Sequence, residues 1–130
     1  MTGLDTGFFV RLLEGHTEAV RVWRAILAGE PSAVSCLTLF ELRRMAARGI
    51  IDPETIRELV DGVERVALIS WIDSRDILRE GADISRRYGI PAFDALILAG
   101  LLRCGATVIY TSGFHMTRYR QDAVRITRLG

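Results

Sequence analysis

The run Thr107-Val108-Ile109-Tyr110 limits the possible architectures more than any other segment of this chain. It is β-branched and apolar at successive positions, so a strand built from it has no face suited to water. Strands covered on both faces are the inner strands of parallel sheets, whose neighbours are joined by helical crossovers. Shorter runs at Gly3–Leu4, Ala33–Cys36, Val66–Ile69 and Val124–Thr127 are the expected partners. Between them the apolar spacing turns to threes and fours. Helices are expected over Thr6–Leu13, His16–Ala28 (Val20, Trp23 and Leu27 on one face), Thr38–Ala47, Ser74–Tyr88 and Ala92–Arg103. Another begins at Asp52-Pro53-Glu54, with Asp as N-cap and Pro at the first helical position, and carries Ile56, Leu59, Val60 and Val63. The expectation is a three-layer α/β/α fold with a mostly parallel sheet of four or five strands, in one domain over residues 1–130.

Composition removes several chemistries. All 17 basic residues are arginine, and the 130-residue chain has no lysine and no asparagine. A GC-rich coding background accounts for both absences, but the chemical consequence stands: nothing here runs on a lysine amine. Sixteen acids leave a formal charge of +1, so contact with nucleic acid has to come from a local patch rather than a global field. Cys36 and Cys104 are isolated and lack zinc-ligand spacing, which predicts two buried thiols. No basic start with an apolar core follows Met1, and Ala95–Leu102 is far short of the about 20 residues that span a bilayer. The expected location is the cytoplasm, with no membrane partner.

In parallel α/β sheets, sites form beyond the carboxyl ends of the strands. Asp5 follows the first strand, Glu41 lies in the helix after the second, Asp94 opens the helix after Pro91, and Thr111-Ser112 ends the Thr107–Tyr110 strand. Each acid has a plain structural reading. Asp5 is placed to cap a helix, Glu41 stands three residues after Thr38 as in a capping box, and Asp94 suits a helix dipole. Those readings leave unexplained why all three fall at one edge. Carboxylates gathered there repel one another, and a hard divalent cation relieves the repulsion.

Leu4-Asp5-Thr6, Ser35 with Glu41 six residues on, Phe93-Asp94-Ala95-Leu96-Ile97-Leu98-Ala99 and Val108-Ile109-Tyr110-Thr111-Ser112 together resemble the motifs of the PIN domain. Within it they are most similar to the VapC-type toxins of toxin–antitoxin pairs. The resemblance implies a ribonuclease dependent on Mg²⁺ or Mn²⁺ that cuts structured RNA, forms a homodimer and is held inactive by a cognate antitoxin. It implies metal ligation by Asp5 and Asp94, with Glu41 completing the cluster directly or through water, and hydroxyls at Thr6, Thr111 and Ser112 that orient those ligands. One departure is evident: the family commonly carries an aspartate soon after the hydroxyl pair, where this chain has Gly113. His115 and Asp122 follow, off the motif position, and read as a loop histidine and a surface acid.

In that reading a water activated on the cation attacks the RNA phosphodiester, Glu41 positions or deprotonates it, and rim arginines hold the phosphates. Arg11, Arg43, Arg44, Arg103, Arg118 and Arg120 are the candidates, each close in sequence to a site segment. The stripes with Trp23 and with Ile56, Leu59, Val60 and Val63 either complete the core or await a partner. Leu4-Asp5-Thr6-Gly7 also matches an aspartic-protease tetrapeptide, but the helical pattern excludes that framework. Receiver domains and haloacid-dehalogenase-type phosphatases need a lysine that is absent. The alternative function is a catalytically weakened or inactive module that still binds antitoxin or RNA, because Gly113 replaces an acid.

Overall fold

Strands Thr2–Leu4 (β1), Ser32–Ser35 (β2), Leu68–Ser70 (β3), Val108–Thr111 (β4) and Arg125–Arg128 (β5) form one sheet in the computed structural model, which describes residues 1–130. All pair in parallel, in the order β3-β2-β1-β4-β5. Six helices connect them: Thr6–Leu13 (α1), Thr17–Leu27 (α2), Cys36–Ala47 (α3), Pro53–Val66 (α4), Arg75–Tyr88 (α5) and Ala92–Arg103 (α6). A 3₁₀ turn spans His115–Arg118. No helix is long and apolar enough to cross a membrane.

Side chains alternate across the strands and so feed two separate cores. Leu4, Val34 and Tyr110 pack with Phe8, Phe9, Val22, Leu42 and Val60 from α1 to α4. Ala33 and Ile109 face the other way, against Ile77 and Ile84 of α5 and Leu98 and Leu101 of α6. Three layers result, as the both-face apolarity of β4 required. α6 is the most enclosed helix, with Ala95 and Ile97–Leu101 all buried. Such a helix has few ways to shift, and that fixes Asp94 in its first turn.

Several boundaries move. Val66 closes α4 rather than opening a strand, because the apolar stripe of that helix runs through Val63, and β3 begins only at Leu68. The last strand lies one residue later than expected, at Arg125–Arg128, set by pairing Val108 with Arg125 and Thr111 with Arg128. α2 buries Ala19, Val22 and Ile26, with Trp23 half-buried, and leaves Leu27 exposed. The small Ala19 is wholly buried in the first core, so this face turns inward rather than the one its larger apolar residues suggest. Trp23, Ile56, Leu59, Val60 and Val63 all belong to the first core or pack against it, so those stripes await no partner. Cys36 and Cys104 are half-buried and unbridged, less enclosed than expected.

Leu98 is wholly buried between α6 and the sheet. Leu98→Ala is expected to cost about 2–5 kcal/mol of stability, read as a lowered urea midpoint with an unchanged slope.

Candidate active site

The connections after β1 lead to β2 and then β3 on one side, whereas β4 and β5 lie on the other. Strand order therefore reverses between β1 and β4, and a crevice opens at their carboxyl ends. It is a cleft of about 170 Å³ whose lining includes Asp5, Glu41, Asp94, Thr6, Thr111 and Ser112. Three acids far apart in the chain thus meet in one cavity with the three hydroxyl residues beside them.

Asp5 leaves β1 with its N–H bonded to the Tyr110 carbonyl of β4 at 3.2 Å. Its Oδ1 accepts the Phe8 N–H at 2.9 Å, capping α1, so the capping role and the cleft position coexist. The structural reading of Glu41 does not hold. Ser35, not Thr38, caps α3, and Glu41 Oε1 accepts the Thr6 hydroxyl at 2.5 Å, across 35 residues of sequence. Thr38 is fully buried behind this bond, its hydroxyl 3.2 Å from that of Thr6. Asp94 lies in the first turn of α6 without making a cap bond.

Burial pushes the Asp5 pKa up from 3.8 to about 6, and the charges of Asp94 and Glu41 add to the rise. The Thr111 hydroxyl and the Phe8 N–H oppose it without cancelling it. Asp94 is also raised, by partial burial, with His115 pulling the other way. The cleft therefore holds carboxylates that resist ionising together. No three acidic, histidine or cysteine side chains converge closely enough to hold an ion unaided. The available donors are chiefly carboxylate and hydroxyl oxygens, a set that suits a hard divalent cation which keeps part of its water shell.

Two cleft residues escaped the sequence reading. His115 lines the cavity and is its only member able to carry positive charge, whereas Asp122 lies in a different depression. Gly7 stands where a Cβ would come within 2.2 Å of Ser112 Oγ and 3.0 Å of its backbone nitrogen, so any larger residue would force Ser112, just after β4, to shift. The glycine beside Asp5-Thr6 was the available signal. Gly113 also lines the cleft, and a Cβ there would meet nothing within 4 Å.

None of the six candidate arginines lines the cavity. Arg11 pairs with Glu14 at 3.0 Å, Arg43 with Glu64 at 3.9 Å and Arg103 with Glu80 at 3.5 Å. Arg118 donates to the Gly89 carbonyl at 2.6 Å, and the Arg120 carbonyl accepts from Tyr88 at 3.3 Å. Arg44 is exposed on the last turn of α3.

The family model of the PIN domain matches residues 4–121. The chain belongs to the PIN domain family. No curated protein sequence matches it. Among solved structures it resembles the DNA-bound VapBC from Salmonella typhimurium, at 22% identity and a TM-score of 0.73, covering 99% of this chain and 98% of the other. It is also similar to VapBC2 from Rickettsia felis bound to a promoter DNA fragment (16% identity, TM-score 0.73, 98% and 97% covered). A toxin-antitoxin complex from Klebsiella pneumoniae aligns at 23% identity and a TM-score of 0.66, over 88% of each chain. These likenesses establish the PIN fold: three layers and five parallel strands, at the upper end of the expected strand count and parallel throughout.

With its pKa raised from 3.8 to about 6, Asp5 binds its proton more tightly in the folded PIN domain than in the unfolded chain. Its contribution to stability is then full below about pH 4 and is lost as pH rises to about 6. In chelator, Asp5→Asn keeps a capping oxygen and removes the buried charge. It is expected to raise the Tm at pH 7, by an amount equivalent to about 1–3 kcal/mol, and to leave it unchanged at pH 4. Thermal unfolding at the two pH values checks this.

Proposed function

We propose that this chain is a metal-dependent ribonuclease that hydrolyses RNA phosphodiester bonds, and that it is the toxin of a toxin–antitoxin pair. The observation that carries the reading is the meeting of Asp5, Glu41 and Asp94 in one cleft of a PIN-family chain. The toxin assignment draws support from the VapBC and toxin-antitoxin complexes that share the fold. By the same likeness it takes a cognate antitoxin as partner; assembly as a homodimer and work in the cytoplasm are further parts of the proposal.

Asp5 and Asp94 are the residues suited to hold Mg²⁺ or Mn²⁺, with Glu41 contributing directly or through water. When bound, such an ion polarises the phosphoryl oxygen and acidifies water. The remaining chemistry belongs to the side chains. Thr6 occupies Glu41 Oε1, which leaves Oε2 to accept a proton from the attacking water. That water adds to phosphorus as the bond to the leaving oxygen breaks. The Thr111 hydroxyl, buried beside Asp5, favours the charged form of that carboxylate and accepts the Gly113 N–H at 3.3 Å. Ser112, against Gly7, lines the same wall. None of the six arginines lines the cleft, so any of them that meets RNA serves phosphates further along the strand rather than the one cut.

A second reading rests on Gly113. With no acid at this cleft position, the chain is a weakened or inactive module that binds antitoxin or RNA without cutting. One experiment separates the two. In the ribonuclease reading the purified chain cuts RNA only with Mg²⁺ or Mn²⁺, and Asp5→Asn abolishes cutting while the circular dichroism spectrum stays unchanged. Full activity in that variant sinks the assignment. No cutting by the wild type under any divalent ion favours the module.

Gly113→Asp tests the missing acid directly. The site is open to a side chain and needs no left-handed backbone. The variant is expected to tighten Mn²⁺ binding by calorimetry about tenfold, a gain of about 1.4 kcal/mol, and to raise the cleavage rate.

A further inference from the structure

The five phenylalanines divide sharply by environment. Phe8 and Phe9 are fully buried, whereas Phe40, Phe93 and Phe114 are 54%, 40% and 65% exposed. Each exposed one is the immediate chain neighbour of a residue lining the acidic cleft: Phe40 precedes Glu41, Phe93 precedes Asp94, and Phe114 lies between Gly113 and His115. Successive helical residues are turned by about 100°, so side chains next to the acids stand at the rim rather than inside. Phe40 of α3 and Phe93 of α6 meet there, with ring centroids 6.1 Å apart and planes tilted by 55°. The Arg128 guanidinium already covers Phe114, 3.6 Å from its ring centre. The Phe40–Phe93 pair has no such cover.

We infer that the Phe40–Phe93 pair is a base-stacking platform that holds an unpaired nucleobase next to the scissile phosphate. The inference rests on the ribonuclease reading and deepens it by naming what grips the substrate beside the cut. The charge pattern favours a base over a phosphate as the gripped group. The cleft carries three carboxylates and no arginine, so no guanidinium grips the phosphates that flank the cut. A base face is uncharged and stacks on an aromatic ring whatever its sequence. An unpaired nucleotide is needed, because a base inside a duplex has its faces already stacked. The Phe114–Arg128 pair, on the loop after β4 and on β5, adds a guanidinium stacked on the ring next to Gly113 and His115, suited to a phosphate further along.

The test uses the full chain and an RNA oligonucleotide carrying 2-aminopurine or an abasic nucleotide beside the cut. Neither ring belongs to either core, so Phe40→Ala with Phe93→Ala leaves the cores intact. The Asp5→Asn chain, which does not cut, is expected to quench 2-aminopurine fluorescence on binding, and adding the two alanines is expected to abolish the quenching. In otherwise wild-type protein the double alanine variant is expected to raise KM roughly 5- to 150-fold, with a smaller change in kcat. Tyrosine at both positions restores KM. Leu27→Ala, equally exposed on α2, changes neither constant. The abasic substrate costs wild type a similar factor and costs the double variant nothing further. A double variant that still prefers the intact base overturns the assignment. So does one whose KM for RNA is unchanged, which gives the exposed rings to a protein partner instead. Cutting that needs Asp5 but ignores the pair removes the platform and keeps the ribonuclease. Quenching through the pair with no cutting by wild type does the reverse.

Discussion

Burying the Asp5 carboxylate at the end of β1 is the constraint around which the site is arranged. A carboxylate taken from water destabilises the fold unless its oxygens find donors. One donor comes from the Phe8 N–H of α1, and the Thr111 hydroxyl of β4 also favours the charged form. The arrangement works only if α1 starts immediately after β1 and β4 lies beside β1. Gly7 then fits where a larger residue would displace Ser112, because the first turn of α1 passes against it. Glu41 and Asp94 worsen the electrostatics of Asp5. That they are nonetheless held in the same cavity, one of them by a buried threonine, marks the cleft as shaped for something other than stability.

How much of this was readable beforehand differs by residue, for physical reasons. β4 announced itself because a strand covered on both faces leaves a local, uninterrupted signature. So did α4, whose Asp52 cap and Pro53 act within one turn. The gathering of Asp5, Glu41 and Asp94 was readable too, since it follows from where parallel strands end. What failed depended on contacts between distant segments. Glu41 fitted a capping box by spacing, and only its bond to Thr6, 35 residues away, shows otherwise. Gly7 and His115 owe their places to neighbours from other elements, and no local pattern records such neighbours. The face of α2 was misjudged because a small residue, Ala19, does the packing.

The arginines illustrate a further limit. Nearness in sequence to a site segment suggested a basic rim, yet most of the six candidates are tied to helix faces or loop carbonyls and none enters the cleft. Arg128, never a candidate, is the one set on an aromatic ring beside it. With acids concentrated inside and arginines dispersed outside, a net charge of +1 conceals strong local separation. Total charge says little about what such a surface attracts.

The pairing of β1 with β4 joins the second to fourth residues to a strand that begins at position 108. A ribosome delivers these segments in that order, so a growing chain displays Asp5 and Glu41 long before anything exists to enclose them. Until Val108–Thr111 has emerged, β1 lacks one of its two neighbours and the cleft has no second wall. Contacts of such sequence separation are also slow to form. The chain therefore carries a built-in delay: whatever chemistry the cavity performs is withheld from every copy in which Val108–Thr111 has yet to dock beside β1.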